Sequence, residues 1–284
     1  MTPKNMKNRI SIFARKILLP CIVLLLACPP FSRGTGKLSV RSQENSSGPL
    51  FYVSGSYPGT LEAEFRLTKA VNVKTEPPLP ARIIIPPGQE VKAFSLSADR
   101  PGLSMSYAYT YRAVVGDPRA EPDPAPYLPP FESGRRFRIG RGFHPDAARS
   151  DPFNAYSVSI LMPGGAAVCA ARSGILTETD TRSFRRQTVQ GIMEMQSRLI
   201  RIQHDDGTMG LYAHLDPDSC SLSPGTRIKA GQIIARLGKN AENGLFFTVQ
   251  KNAGMRLVSL PFRFAAEGGT TVVPVRGMVL HAAR

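Results

Sequence analysis

Apolar side chains recur at every second residue over much of this chain, and no stretch sustains a helical period. Leu61, Ala63, Phe65 and Leu67 alternate with Glu62, Glu64, Arg66 and Thr68, and Met105, Tyr107, Tyr109 and Tyr111 alternate with Ser104, Ser106, Ala108 and Thr110. A strand points successive side chains to opposite faces, so this pattern calls for sheets with one face buried. Ile83-Ile84-Ile85 runs into Pro86-Pro87-Gly88, a strand closed by a turn. Further strand-like runs are Ala166–Ala171, Leu199–His204, Leu211–Leu215, Thr226–Lys229, Gln232–Leu237 and Leu245–Gln250, separated by turn signals such as Asp205-Asp206-Gly207 and Ser223-Pro224-Gly225. The chain therefore reads as mainly β.

Composition shifts divide it. Residues 1–27 open with Lys4, Lys7, Arg9, Arg15 and Lys16 and no acid, then run apolar from Ile17 to Ala27. The run is short for a membrane span and Pro20 interrupts it, which suits a secretory signal. Leu25-Leu26-Ala27-Cys28 resembles a bacterial lipobox, so Cys28 is a candidate for lipidation; plain cleavage nearby is the alternative. Residues 28–48 are polar and aperiodic and read as a tether. Residues 49–118 read as a small N-terminal β-sandwich, with neither histidine nor clustered carboxylates, suited to binding rather than catalysis. Residues 119–130 are a Pro-rich connector, 131–255 a second β domain, and 256–284 closing strands or a tail that sequence does not assign to either domain. Within the second domain Thr177–Arg198 is polar and less regular, with room for a short helix.

The formal charge is +15, and loss of the five bases of segment 1–27 would leave it at +10. Such a surface attracts polyanions, but an export signal argues against nucleic acid and for anionic lipid or wall polymers. The bases are dispersed, and the small clusters Arg135–Arg138 and Arg182–Arg186 fit a solvated face. Of four cysteines, Cys169 and Cys220 fall in the folded part; an exported protein could bridge them, and a buried thiol suits Cys169 in its apolar run equally well.

Several segments of the second domain, in order, carry a resemblance. They are Tyr127-Leu128-Pro129-Pro130-Phe131 followed by Gly134 and Gly140; Met162-Pro163-Gly164-Gly165-Ala166-Ala167-Val168-Cys169-Ala170-Ala171; Ile202-Gln203-His204-Asp205-Asp206-Gly207-Thr208 followed by Tyr212-Ala213-His214-Leu215; and Pro224-Gly225-Thr226-Arg227-Ile228 through Gly231-Gln232-Ile233-Ile234. Over about residues 126–250 the chain resembles the lysostaphin/LytM-type zinc peptidases, which cut the peptide cross-links of bacterial peptidoglycan. The resemblance implies a LytM-type antiparallel β-sheet core. It also implies a zinc held by a His, an Asp and the second His of a His-x-His motif, with an open position for water whose pKa falls toward roughly 7. Two further histidines, one in Tyr-Ala-His-Leu and the first of His-x-His, assist the attack.

Carried over residue by residue, the ligand positions hold Arg149, Ser159 and Phe246, and the lost catalytic histidine is Gly244. Under a tighter spacing the first ligand position is Ala155. His214 alone is retained, as a vestige. An arginine at the first position would repel a dication and cannot be deprotonated. The expectation is no zinc and no catalysis by the family's mechanism. Other donors, His144, Asp146, Asp151 and His204, offer a conceivable but incomplete rebuilt site; Ser157 and Ser159 have no base placed near them, and His281 lies in the tail. The expected role is a non-catalytic peptidoglycan-binding or regulatory module in the periplasm or cell envelope. Its expected partners are peptidoglycan or a wall enzyme such as an amidase, and it carries a lipid anchor if Cys28 is acylated. The alternative is a working zinc endopeptidase.

Overall fold

A computed structural model describes residues 10–13, 38–188, 191–239, 241 and 244–282, with backbone only for 10–13 and 182–196. The chain divides into two compact units, Met1–Val114 and Val115–Arg284. Most of the expected signal segment, and Cys28, lie outside the described residues. Among those residues no helix is long and apolar enough to cross a membrane.

The first unit holds β1 (Ile10–Phe13), β2 (Leu38–Asn45), β3 (Gly48–Gly55), β4 (Leu61–Val71), β5 (Lys74–Glu76), β6 (Ala81–Ile85), β7 (Glu90–Ser97) and β8 (Ser106–Val115), whose last residue opens the second unit. They form two four-stranded sheets, β1-β8-β4-β6 and β2-β3-β7-β5. Aromatic rings join the sheets. Phe51 and Phe94, paired across β3 and β7, stack at 4.4 Å, and Tyr109 and Phe65 of the other sheet meet them edge-on or tilted at 5.3–5.6 Å. Offset and edge-to-face rings are the favoured arrangements, which lets so few strands enclose a core.

Two expectations change here. Residues 38–48, read as tether, form β2 and its turn into β3, because Leu38 and Val40 still alternate and the Asn45–Gly48 turn closes a hairpin. Glu62 and Glu64, read as the solvent side of β4, are buried. Arg66, Arg82 and Arg112 converge on the Glu64 carboxylate at 2.7–3.4 Å, their long stems covering it, and the hydrogen bond from Arg66 leads in holding its pKa down at about 2.

The second unit comprises β9 (Arg136–Arg141), β10 (Ser157–Leu161), β11 (Ala167–Cys169), β12 (Gly174–Thr188), β13 (Gly191–Gln203), β14 (Met209–Leu215), β15 (Arg227–Ile228), β16 (Ile233–Arg236), β17 (Leu245–Asn252), β18 (Leu257–Leu260), β19 (Phe264–Ala265), β20 (Thr271–Val272) and β21 (Val279–His281), with one 3-10 turn at Pro145–Ala148 and another at Glu267–Gly269. Nine strands make one antiparallel sheet, ordered β15-β12-β13-β14-β17-β10-β9-β21 with β18 beside the end of β17. The expected mainly β, LytM-type build is what forms. One face of the sheet carries Val158, Ile160, Ile200, Ile202, Tyr212, Phe247 and Val249 into the core, closed by the β11–β16 pair.

Two further readings are corrected, and one left open is resolved. Thr177–Arg198 belongs to the long β12–β13 hairpin rather than to a helix-bearing insert. The end of the supposed connector is core: Tyr127, Pro129 and Pro130 are buried, with the Tyr127 ring against Phe247 and Phe262. The closing segment completes this unit, since β18 pairs β17 and β21 pairs β9.

Candidate functional site

The sheet face opposite the core gathers the family positions. β17 lies between β14 and β10, and its register puts Phe246 beside Ala213 on one side and Ser159 on the other. Two of the three expected ligand positions are therefore direct cross-strand neighbours, and they hold a benzene ring and a hydroxyl. His214 is one residue along from Ala213. Its Nδ1 lies 2.9 Å from the Gly244 carbonyl oxygen and its ring centroid 6.2 Å from that of Phe246. The Nδ1–H donates to that carbonyl, which leaves Nε2 facing away from it.

Two backbone irregularities shape the group. Between Tyr212 and Leu215, β14 carries one residue more than β13, and His214 takes up the bulge at φ 69°. Gly244 sits at φ 71°, and a Cβ there would fall on the Ile160 carbonyl oxygen and 2.7 Å from its carbon. The place where the resemblance expects a catalytic histidine is thus a backbone contact with no room for a side chain.

Arg149 does not join them. It is exposed just past the Pro145–Ala148 turn and lines a separate cleft of about 350 Å³ with Tyr156, Arg256, Val258 and Ser259. Ala155, the alternative ligand position, is buried, its carbonyl accepting from the His144 amide at 2.7 Å. The cation at the site is one the sequence reading missed, Arg141. Opposite Ser159 the β9–β10 ladder shifts register at Gly140–Arg141, a bulge that aims the arginine over the group. Its guanidinium donates to Ser157 Oγ and stands 5.7 Å from the Phe246 ring centroid. Gly140 permits the bulge, since a Cβ there would lie 2.9 Å from Ser159 Oγ. The visible signal was a lone base between two glycines.

The remaining donors are scattered. His144, Asp146 and Asp151 are exposed around the 3-10 turn, with the Asp151 carboxylate accepting from Asn154 Nδ2 at 2.9–3.1 Å. His281 lies 3.6 Å from Glu267. Cys169 and Cys220 are unbridged, and burial pushes the Cys169 thiol up to about 11. Among the described residues no group of three or more His, Cys, Asp or Glu side chains could hold a metal ion. The residues present do not fit a zinc of the family's kind.

His204 is structural. It is buried at the end of β13, Nδ1 2.9 Å from the Ser173 carbonyl, with its ring edge-on to Tyr127. Arg172 caps Tyr127 at 3.7 Å and pairs with Asp206 at 2.9 Å. Burial, helped by the Arg172 charge and opposed by the Ser173 carbonyl, lowers the His204 pKa to about 4. The unfolded imidazole takes a proton below about 6.5 and the folded one only below about 4, so stability falls as pH drops through that window and is flat above it. The expected loss between pH 7 and pH 4 is at most about 3 kcal/mol. Urea midpoints at pH 7, 5.5 and 4.5 should show this slope, and His204→Gln should abolish it; an unchanged slope in the variant would assign it elsewhere. Asp206, whose pKa is lowered, contributes its own loss only below about 3.8.

Comparisons place this site in context. Residues 154–256 match the model of peptidase family M23, so the second unit carries an M23 domain. Among solved structures, the chain is similar to one described as a glycyl-glycine endopeptidase, lytM, from Ruminococcus gnavus, at 17% identity over 46% of this chain and 57% of that one, TM-score 0.29. It is similar to Csd3 of Helicobacter pylori at 13% identity over 78% and 75%, TM-score 0.30, and to a zinc-containing peptidase of Vibrio cholerae at 13% over 78% and 83%, TM-score 0.31. The chain thus spans little more than half the length of the R. gnavus protein. No curated protein matches it in sequence.

Proposed function

We propose that this M23-domain protein is an exported cell-envelope component whose peptidase domain binds peptidoglycan, or regulates a wall enzyme such as an amidase, without hydrolysing peptide bonds. The observation that carries the reading is the content of the convergent positions. Ser159, Phe246 and Gly244 offer one hydroxyl, one apolar ring and a bare backbone, and the Arg141 guanidinium points over them. Zinc would supply a polarised carbonyl and an acidified water; these residues supply neither donors nor a neutral environment for a dication. The cross-strand neighbours Phe246, Ser159 and Ala213 still offer a surface on which a peptide can lie. The basic-then-apolar opening of the chain supports export, and Cys28 supports a lipid anchor.

Metal content of the purified full chain, measured together with digestion of isolated peptidoglycan by the wild type and by His214→Ala, tests the reading. The expected result is substoichiometric zinc, no released fragments and no difference between the two proteins. Stoichiometric zinc with activity abolished by His214→Ala would instead establish a working endopeptidase with a rebuilt site.

A further inference from the structure

We infer that Arg141 anchors a carboxylate-binding site on the open sheet face of the M23 domain, the guanidinium standing beside the expected ligand positions Ser159 and Phe246. This rests on the peptide-binding reading above and specifies which group of the peptide is held. The bulge at Gly140–Arg141 turns the side chain over this face. One terminal nitrogen donates to Ser157 Oγ, while Nε is buried and has no acceptor among the described residues. The half-buried guanidinium also has no carboxylate partner among those residues. Two other arginines of this unit do, Arg201 with Glu178 and Arg172 with Asp206, each at 2.9 Å, whereas Arg198, its Nε likewise buried without an acceptor, donates to the Cys220 carbonyl. A guanidinium keeps its charge at every working pH and loses hydration when it is partly buried, so its terminal nitrogens, rather than the enclosed Nε, are the donors an anion can meet.

The surroundings choose the anion. A planar fork with free donors matches a carboxylate, which can take two parallel hydrogen bonds. Phosphate sites usually assemble several cations and backbone amides, whereas here one guanidinium stands beside Ser157 and the Phe246 ring, with Ser159 across the ladder. Phe246 gives an apolar platform beside the charge, suited to a small side chain next to a peptide's terminal carboxylate. His214, its Nδ1 held by the Gly244 carbonyl, presents Nε2 as an additional polar contact.

The test measures binding of diacetyl-Lys-D-Ala-D-Ala to the full chain, with its free terminal carboxylate and as the terminal amide, by titration calorimetry. The acid should bind at least about ten-fold more tightly than the amide. Arg141→Met should erase that preference, Arg141→Lys should retain part of it, and Arg149→Ala, which removes an equal charge outside the site, should leave it unchanged. Melting curves of each variant establish folding, and the lysine variant keeps the test decisive if the methionine variant is unstable. Inorganic phosphate competing better than acetate would overturn the carboxylate assignment. Equal binding of acid and amide, no binding of either, or loss with Arg149→Ala but not Arg141→Met would overturn the site. The broader reading fails by a different readout, zinc-dependent digestion of peptidoglycan.

Discussion

Gly244→Ala is expected to destabilise the second unit by about 2–5 kcal/mol, through two separable causes. A non-glycine residue in the left-handed region costs about 1–2 kcal/mol. Forcing a methyl group onto packed atoms costs about 1–3 kcal/mol more, and here the atoms struck are the Ile160 carbonyl oxygen and carbon, which are backbone and cannot swing aside. Urea unfolding should show a lower midpoint, and hydrogen exchange should quicken first in β17 and β10, the two strands that Gly244 holds together. A cost below about 1 kcal/mol would mean the β10 backbone yields easily. The consequence for function is direct. A histidine at 244 requires the same Cβ, so substitution there alone would not place the first histidine of a His-x-His motif without the same clash. Ser159→Asp with Phe246→His would put two donors side by side, but beneath Arg141.

Much of this was legible in the chain because strand physics writes itself in period two. The β14 and β17 runs were readable from Leu211–Leu215 and Leu245–Gln250, and the M23 likeness from segments in fixed order. What failed to show was governed by contacts remote in sequence. Glu62 and Glu64 look solvated beside Leu61 and Ala63, yet both are buried, and three arginines distant in sequence or on the same strand converge on Glu64. The cation at the site was assigned to Arg149 by alignment spacing. A one-residue bulge at Gly140–Arg141, which no periodicity reveals, brings Arg141 there instead, while the 3-10 turn carries Arg149 to the surface. Likewise the vacancy at 244 reads in sequence as a missing donor, and in three dimensions as a place where none fits.

Glu178→Ala should cost about 3–5 kcal/mol, the usual penalty for leaving a buried charge without its partner. Glu178 and Arg201 face each other across β12 and β13 and are both buried, with Arg201 Nε 2.9 Å from Glu178 and its Nη1 2.7 Å from Gln250 Oε1 on β17. The arginine therefore reaches across β14 and ties the hairpin to the strand that carries Phe246 and begins just after Gly244. Because side chains alternate, a slip of β17 by one residue would exchange Phe246 for Phe247 beside Ser159 and turn core residues outward. The network's value then lies in fixing that register. The paired replacement Glu178→Leu with Arg201→Met removes both charges and should recover most of the lost stability, since well-packed apolar pairs often match buried ion pairs. It should nonetheless weaken the hold on Gln250, so faster exchange at β17 amides is expected even where the urea midpoint is restored. A double variant as unstable as Glu178→Ala would show that the charges stabilise the sheet beyond satisfying each other.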